Sequence, residues 1–491
     1  MIIWGVTALS HDGAISVIKD GKIVFAAHSE RYSRVKNDFY LNDEIVNEAL
    51  SFGDPDEIVW YEKPLLKKTR QAWAGQWKEV FGKDTIPKNY LKKFLPQLPT
   101  LSYALHHESH AAAGALTSNF DHALVIVLDA IGEWNTCTTW EYKRNDDKPT
   151  LTNLQTTNYP HSFGLLYSAF TQRCGLKPNE EEYILMGMAA YGKPKYVKQI
   201  KNDLIESMYP LKLKTNPHIG IPKYLNDADP IDLAASIQEI ANEFIVGYVE
   251  QAVLETGISK VVYQGGVALN CVTNTKLLEV CDEVWIMPNP GDSGNSLGAA
   301  CLGYGKPVEW KSPYLGTNIV GPYPVDKIIG ELLTKGICGV ANGRAEFGPR
   351  ALGNRSLLAD PRGEDIKDRV NEIKRRQKFR PFAPAILEEH LHTYFNINRD
   401  TVPYMQYVAD AKEETVKKFP AIVHFDNTAR VQTVSKNDNT GFRALLEEWY
   451  RITGCPILLN TSLNIRGEPL VNNEQDALNF NDRYNVKVYM N

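Results

Sequence analysis

The stretch Ala-Leu-Val-Ile-Val-Leu at residues 123–128 is an unbroken apolar run with an aspartate two positions before it and another directly after it. A second run, Lys-Val-Val-Tyr at residues 260–263, leads into Gln-Gly-Gly. Continuous apolar runs of this length are typical of buried strands. Because residues 231–253 between them carry a helical pattern, the sequence predicts an α/β architecture.

Outward from these runs, the amino terminus has three shorter apolar stretches that are separated by turn residues. They predict a β-meander over residues 2–6, 13–17 and 22–27. Near residues 305–325 the periodicity is lost and prolines and glycines accumulate. We therefore expect one domain over residues 1–320 and a second over residues 321–491.

Composition excludes several classes of protein. A chain of 491 residues is too long for a single small binding module, and 54 basic against 59 acidic residues give a net charge of −5, unlike a dedicated nucleic-acid binder. Seven cysteines without a CxxC spacing predict neither a disulfide framework nor a thiolate zinc site, and favour a cytoplasmic setting. No apolar run of about 18 residues occurs, so we expect no membrane partner.

Two histidines and two aspartates form the clearest candidate metal site. His106 and His110 are four residues apart, on one face if the segment is a helix, and Asp129 directly follows the buried strand. Asp292 lies in a glycine-containing turn suited to phosphate. This donor set suits Fe, Mn or Zn, and the metal identity stays open. The alternative is a pair of satisfied helix histidines and an ordinary aspartate loop.

Two further regions suggest anionic small molecules. Gly265 and Gly266, with Asn270 after them, follow a strand without bulky side chains, so backbone could approach a flat ring or ribose; a simple turn is the alternative. In the C-terminal part, separated arginines at turns suit a polyanion. The alternative there is a solvated basic helix over residues 374–380.

Taken together, these motifs resemble the O-carbamoyltransferases, a family that includes nodulation-factor, cephamycin and tobramycin carbamoyltransferases. The resemblance covers almost the whole chain. Its motifs include Ser10-His-Asp12, Glu30-Arg-Tyr-Ser-Arg-Val-Lys36, His106-His-Glu-Ser-His110, Glu346-Phe-Gly-Pro-Arg350, Arg380-Pro-Phe-Ala-Pro384, Thr428-Ala-Arg-Val-Gln432 and Asn460-Thr-Ser-Leu-Asn464.

The resemblance implies an N-terminal actin-like (ASKHA) domain, like that of tRNA-threonylcarbamoyltransferase proteins, and a C-terminal α/β YrdC-like domain. It implies that the second domain makes carbamoyl adenylate from carbamoyl phosphate and ATP. The first would pass the carbamoyl group to an acceptor hydroxyl, with the adenylate near Gly265, Gly266 and Asn270. The positions that match the family's substrate-binding residues are Arg350, Lys374, Arg380, Arg430, Asn460 and Ser462.

His11 is the candidate base at the acceptor hydroxyl, because an imidazole titrates near neutral pH, and Lys36 matches a nearby family position. Transfer of threonylcarbamoyl to tRNA is a second hypothesis, disfavoured because both domains lie in one chain. A non-catalytic nucleotide-binding scaffold is a third. Intact candidate metal ligands and arginines argue against it.

The acceptor is suggested only by residues 63–94, where nine basic and two acidic residues alternate with aromatics. The basic residues are Lys63, Lys67, Lys68, Arg70, Lys78, Lys83, Lys88, Lys92 and Lys93. Cations with stacking aromatics suit nucleic acid, so we expect a 5-hydroxymethylpyrimidine acceptor such as 5-hydroxymethylcytosine, as nucleotide or in modified DNA. A sugar or antibiotic hydroxyl is the competing acceptor, and a helical hairpin with inward-facing aromatics is the structural alternative.

Overall fold

The computed structural model describes residues 1–82, 85–145, 147–378, 380, 382–438 and 440–491. Of the residues singled out above, Lys83 of the basic segment and Pro381 of the motif after Arg380 lie outside the described residues. The chain forms two compact units. The first comprises Met1–Ser29 and Asn37–Lys311, and the second comprises Glu30–Lys36 and Ser312–Asn491.

The first unit contains two five-stranded sheets with the same internal order. One sheet runs Lys22–His28, Ala14–Lys19, Ile2–Thr7, Glu57–Trp60 and Thr100–Tyr103. The other runs Thr150–Asn158, Asn135–Lys143, His122–Leu128, Lys260–Gln264 and Glu283–Trp285. In each, three antiparallel strands are followed by two that continue in parallel. The strands and the mixed α/β architecture expected from the sequence are confirmed, with ends shifted by at most two residues.

Helices surround these sheets, and one pair brings the candidate site together. The helices of the first unit are Asp43–Leu50, Pro64–Trp73, Trp77–Phe81, Pro87–Leu91, His106–Ala115, Phe163–Arg173, Glu182–Ala189, Val197–Leu204, Pro230–Thr256, Cys271–Lys276 and Asn295–Tyr304. Helix Asn295–Tyr304 crosses helix His106–Ala115 so closely that a Cβ at Gly298 would lie 1.7 Å from the Ser109 carbonyl oxygen. Only glycine permits this approach, which fixes the two helices against each other.

The second unit is built on a six-stranded mixed sheet. Its order is Gln432–Val434, Ala383–Leu387, Ile457–Ser462, Arg355–Ala359, Ile337–Ala341 and Val488–Tyr489. Its helices are Glu30–Ser33, Val325–Lys335, Ile366–Ile373, Leu391–Tyr394, Glu413–Lys418, Thr440–Thr453 and Glu474–Tyr484. The core forms where helices Val325–Lys335 and Thr440–Thr453 cover the sheet, with Leu332, Trp449 and Leu458 fully buried.

The segment Glu30–Lys36 belongs to the second unit, which the expected division at residue 320 did not anticipate. Arg31 Nη2 donates to the Gly348 carbonyl at 2.8 Å, and Arg34 Nη2 donates to the Pro469 carbonyl at 2.9 Å. These long-range bonds have no local sequence signal. Within the described part of the chain, no helix has both the length and the hydropathy needed to cross a bilayer.

Candidate active sites

The four candidate metal ligands come from three separate places in the first unit. His106 and His110 lie one turn apart on helix His106–Ala115, and Asp129 follows the end of strand His122–Leu128. Asp292 lies in the short turn that leads into helix Asn295–Tyr304. The close helix crossing at Gly298 holds this turn against the histidines.

One donor atom from each of these four residues lies within 4.8 Å of all the others. His106 Nε2 is 3.3 Å from Asp129 Oδ2 and 3.5 Å from Asp292 Oδ1, and His110 Nε2 is 3.4 Å from Asp292 Oδ1. All but the half-buried Asp292 are buried. Two imidazole nitrogens and two carboxylate oxygens converging in this way fit a divalent cation of the Fe, Mn or Zn type.

The electrostatics of the cluster show how strongly its charges interact. Burial alone would lower the pKa of His106, but Asp292 and Asp129 outweigh it and raise that pKa well above its usual value. Burial likewise opposes ionisation of Asp292, but His106 and His110 hold its pKa well below the usual range. The buried Asp129 and the half-buried Asp292 therefore require positive charge between them, from imidazolium or from a cation.

Two supporting contacts hold the ligands in place. The Gly266 backbone N–H donates to Asp129 Oδ1 at 3.0 Å. The buried Glu133, which the sequence interpretation missed, accepts the His106 backbone N–H at 3.1 Å. The sequence signal that could have identified Glu133 was its position in the turn after Asp129. Such second contacts orient metal ligands.

The glycines of the expected adenylate site have a structural explanation of their own. Gly265 has φ +94°, and a Cβ there would lie 2.0 Å from the Leu128 carbonyl oxygen. The glycine is therefore required where two parallel strand ends approach each other. Asn270 Oδ1 accepts the Thr273 N–H at 3.2 Å and so caps helix Cys271–Lys276. Adenylate binding by Gly265, Gly266 and Asn270 stays a prediction.

His11 and Lys36, predicted as a catalytic pair, belong to different units. His11 Nδ1 lies 2.9 Å from Asp12 Oδ2. Burial lowers the pKa of His11, but the charge and hydrogen bond of Asp12 outweigh it and raise the pKa to about 10. The side chain is 37% exposed, so solvent screens part of this effect. Contrary to the expected near-neutral titration, His11 is held as an imidazolium, a hydrogen-bond donor, at neutral pH.

Lys36 forms an ion pair in the second unit, with its Nζ 2.8 Å from Glu30 Oε2. Glu30 and Lys36 both lie in the segment Glu30–Lys36, which belongs to the second unit. A catalytic role for Lys36 stays a prediction.

Lys374 is buried where helix Ile366–Ile373 has ended, so the alternative of a solvated basic helix from residue 374 onward is wrong for the described residues. Its Nζ donates to the carbonyl and hydroxyl of Ser462 and to the carbonyl and Oδ1 of Asn464. Burial, with Arg376 and Arg380 nearby, lowers its pKa well below the usual range. With four protein oxygens around its Nζ, Lys374 positions the 462–464 turn rather than donating directly to a substrate.

Arg430 and Asn460 each have a polar atom that no described protein group engages, whereas the Lys374 amine already bonds to protein oxygens. Within the described residues, Arg430 Nε and Asn460 Oδ1 are buried without a hydrogen-bond partner. The Asn460 amide is oriented by bonds from its Nδ2 to Gln432 Oε1 at 2.7 Å and to the Ala351 carbonyl at 3.2 Å. Arg350 and Arg380 are half-buried in the same unit. Buried polar groups of this kind ordinarily have partners, so both atoms are open for a ligand.

The basic segment does not present its central cations to solvent. Lys67 Nζ lies 2.7 Å from Glu62 Oε1, Lys68 Nζ donates to the Val80 carbonyl at 2.7 Å, and Arg70 is buried. These contacts engage the three cations within the fold, and nucleic-acid binding through residues 63–94 stays a prediction. The structural alternative is wrong in part, because the aromatics do not all face inward.

The first unit thus contains a cluster of four possible metal ligands, and the second contains buried hydrogen-bonding groups without a partner among the described residues. The family models described as Carbamoyltransferase N-terminus and Carbamoyltransferase C-terminus match residues 2–301 and 330–490. The chain therefore belongs to the carbamoyltransferase family, as its motifs predicted, and this membership supports transferase activity.

Several known proteins are similar along the chain. "Uncharacterized protein sll1178" of Synechocystis sp. is 35% identical over 97% of this chain and 93% of its own length. "Nodulation protein NolNO" of Sinorhizobium fredii is 30% identical over 95% of this chain and 76% of its own length. The crystal structure of T. kodakarensis HypF matches 62% of this chain and 47% of its own at 17% identity, with a TM-score of 0.36, too low for a conclusion about fold.

Proposed function

We propose that the protein is an ATP-dependent O-carbamoyltransferase whose two units carry out successive reactions. In the second unit, carbamoyl phosphate and water give carbamate and phosphate, and carbamate attacks the α-phosphorus of ATP, displacing pyrophosphate. In the first unit, an acceptor hydroxyl attacks the carbamoyl carbon of carbamoyl adenylate. AMP leaves, the hydroxyl proton is released, and the acceptor carries a new O-carbamoyl group.

The open hydrogen-bonding groups of the second unit carry this proposal. Arg430 Nε and Asn460 Oδ1 are buried and without a partner among the described residues, and Asn460 lies in the strand that ends at Ser462. The hydrogen bonds of the buried Lys374 go only to uncharged oxygen atoms, and burial lowers its pKa. A phosphate or carbamate anion would satisfy the Arg430 guanidinium and favour the protonated form of Lys374, while the Asn460 carbonyl would accept from a carbamate N–H.

For the transfer step, His106, His110, Asp129 and Asp292 would hold the divalent cation. When bound, this cation would neutralise charge on the leaving adenylate phosphate. The imidazolium of His11 would donate a hydrogen bond near the acceptor, and the backbone at Gly265 and Gly266 would contact the adenosine. We further propose the actin-like and YrdC-like descriptions of the two units, which the repeated sheet order of the first unit supports. Seven free thiols support a cytoplasmic setting.

For the acceptor, we propose a hydroxyl on a small molecule in preference to one within duplex DNA. A 5-hydroxymethylpyrimidine nucleotide and a sugar or antibiotic hydroxyl both satisfy the chemistry. The bonds of Lys67 and Lys68 within the fold and the burial of Arg70 weaken the case for a DNA groove, because cations engaged in the fold release no counterions from phosphates.

The test separates the two half-reactions. Pyrophosphate release from ATP should depend on carbamoyl phosphate, and Ser462→Ala should reduce it about tenfold or more, because this hydroxyl holds Lys374 and Asn464 at the proposed adenylate-forming site. Asp292→Asn should retain pyrophosphate release yet lose carbamoylated product. Mass spectrometry of incubations with 5-hydroxymethylcytosine nucleotide, hydroxymethylated DNA and amino sugars identifies the acceptor. Pyrophosphate release that requires threonine, and does not occur with carbamoyl phosphate and ATP alone, would refute the proposal.

A further inference from the structure

Helix Pro64–Trp73 is inverted relative to an ordinary surface helix. Its charged residues face the protein: Lys67 pairs with Glu62 at 2.7 Å and Arg70 is buried. Its large apolar side chains face outward, with Leu65 79% and Trp73 61% exposed. Surface helices normally bury the apolar face and expose the charged one, so the outward apolar face requires a partner.

The next helix, Trp77–Phe81, extends the same feature. Its Trp77 and Phe81 rings stack at 6.2 Å with an interplanar angle of 19°, and Phe81 is 75% exposed. Lys68 Nζ donates to the Val80 carbonyl at 2.7 Å and to the Gly82 carbonyl at 3.1 Å, which ties the second helix to the first. The exposed apolar side chains of both helices form what we call the apolar patch: Leu65, Leu66, Trp73, Trp77 and Phe81.

Two exposed lysines lie in the segment that carries the apolar patch. Among the exposed charged residues of 63–82, Lys63 and Lys78 are basic and Glu79 is acidic, whereas Lys67, Lys68 and Arg70 turn toward the protein. Lys63 precedes the first helix and Lys78 lies within the second, and both are exposed. A two-fold pairing with a second copy would bring the same lysines together, which disfavours self-association. Leu65 and Leu66 offer no ring for base stacking, which disfavours single-stranded nucleic acid.

We propose that the apolar patch docks the protein on an anionic phospholipid bilayer. Leucine and aromatic side chains would enter the boundary between headgroups and acyl chains, while Lys63 and Lys78 would remain among anionic headgroups. This surface replaces the sequence-based expectation of no membrane partner, and it does not depend on the identity of the acceptor.

Cosedimentation of the full chain with vesicles tests the proposal. Binding is expected on an equimolar mixture of phosphatidylcholine and phosphatidylglycerol, and much weaker binding on phosphatidylcholine alone. The double variant Trp77→Ser and Phe81→Ser should bind the mixed vesicles at least about tenfold more weakly, because burial of the rings is lost. Lys78→Ala should weaken binding about fivefold. Leu254→Ser, at a side chain 78% exposed on helix Pro230–Thr256, is the matched control and should bind as the parent does.

Circular dichroism checks that the exposed substitutions leave the fold intact. Equal binding of the parent and the double variant to mixed vesicles would overturn the proposal. The proposal would also be overturned if the parent bound no vesicles but bound single-stranded DNA, and the double variant lost this DNA binding. It would equally be overturned if the parent bound no vesicles but formed a dimer in sedimentation velocity, and the double variant lost the dimer. Either result would assign the apolar patch to a different partner.

Discussion

Replacing Arg430 by alanine is expected to reduce substrate activation strongly with little effect on stability. Arg430 Nε is buried without an acceptor among the described residues, so the fold loses no hydrogen bond at that nitrogen. The expected change in unfolding free energy is below about 1 kcal/mol. A hydrogen bond from a guanidinium to an anionic substrate contributes about 1.5–3 kcal/mol, so pyrophosphate release should fall roughly 10- to 150-fold.

Arg443→Ala provides the matched control in the same unit. Its guanidinium is fully engaged, donating to Glu389 Oε1 at 2.6 Å, Glu447 Oε1 at 2.8 Å and the Val434 carbonyl at 2.9 Å. Loss of these bonds should cost about 2 kcal/mol of unfolding free energy, with the exposed carboxylates contributing least. Folded Arg443→Ala should keep pyrophosphate release near the parent rate.

The two variants are compared by urea unfolding and by carbamoyl-phosphate-dependent pyrophosphate release. An Arg430→Ala protein that releases pyrophosphate at the parent rate would refute the substrate role of Arg430. A loss of stability as large as that of Arg443→Ala would show that Arg430 is a structural residue whose Nε is satisfied in solution.

Three further predictions concern the first unit. His110→Ala should lose the bound divalent ion in elemental analysis while His122→Ala keeps it, and full metal occupancy in both would show that His110 is structural. Asp12 raises the pKa of His11 from 6.5 to about 10, so this contribution to stability is complete below pH 6.5 and is lost as pH rises toward 10. Asp12→Asn should flatten that decline in urea unfolding, and an unchanged pH profile would contradict it. Arg70→Ala should lower the unfolding free energy by about 1–2 kcal/mol, because its buried guanidinium interacts with the charges of Glu62 and Glu133, without changing the salt dependence of acceptor binding. Unchanged stability together with a changed salt dependence of acceptor binding would instead support a nucleic-acid groove.

Much of the first unit could be predicted because its signals are local. Apolar runs that end in turn residues identified the strands around residues 123–128 and 260–263, and parallel strand ends meet at one sheet edge. The spacing of His106 and His110 placed both on one helix face. The proximity of Asp129 followed from its position after a strand, whereas Asp292 was brought to the histidines by a helix crossing whose only local trace is Gly298.

The residues whose surroundings are set by distant parts of the chain were harder to interpret. Lys374 is recognisable in a motif, but its burial depends on oxygens of Ser462 and Asn464, about ninety positions away. The titration of His11 was misjudged because Asp12 could have pointed elsewhere. Side-chain direction decides such cases, and composition carries no information about it.

By itself the sequence determined the α/β class, the family and the donor types of both sites, because periodicity and residue chemistry act over a few positions. Only the tertiary structure decided which face of helix Pro64–Trp73 meets solvent. From the sequence, these residues predict a basic groove. In the structure, Lys67 and Arg70 turn toward the protein beside Glu62, and Leu65 and Trp73 are exposed. A buried carboxylate requires a nearby cation more strongly than an exposed leucine requires cover, and that long-range demand sets the orientation of the helix.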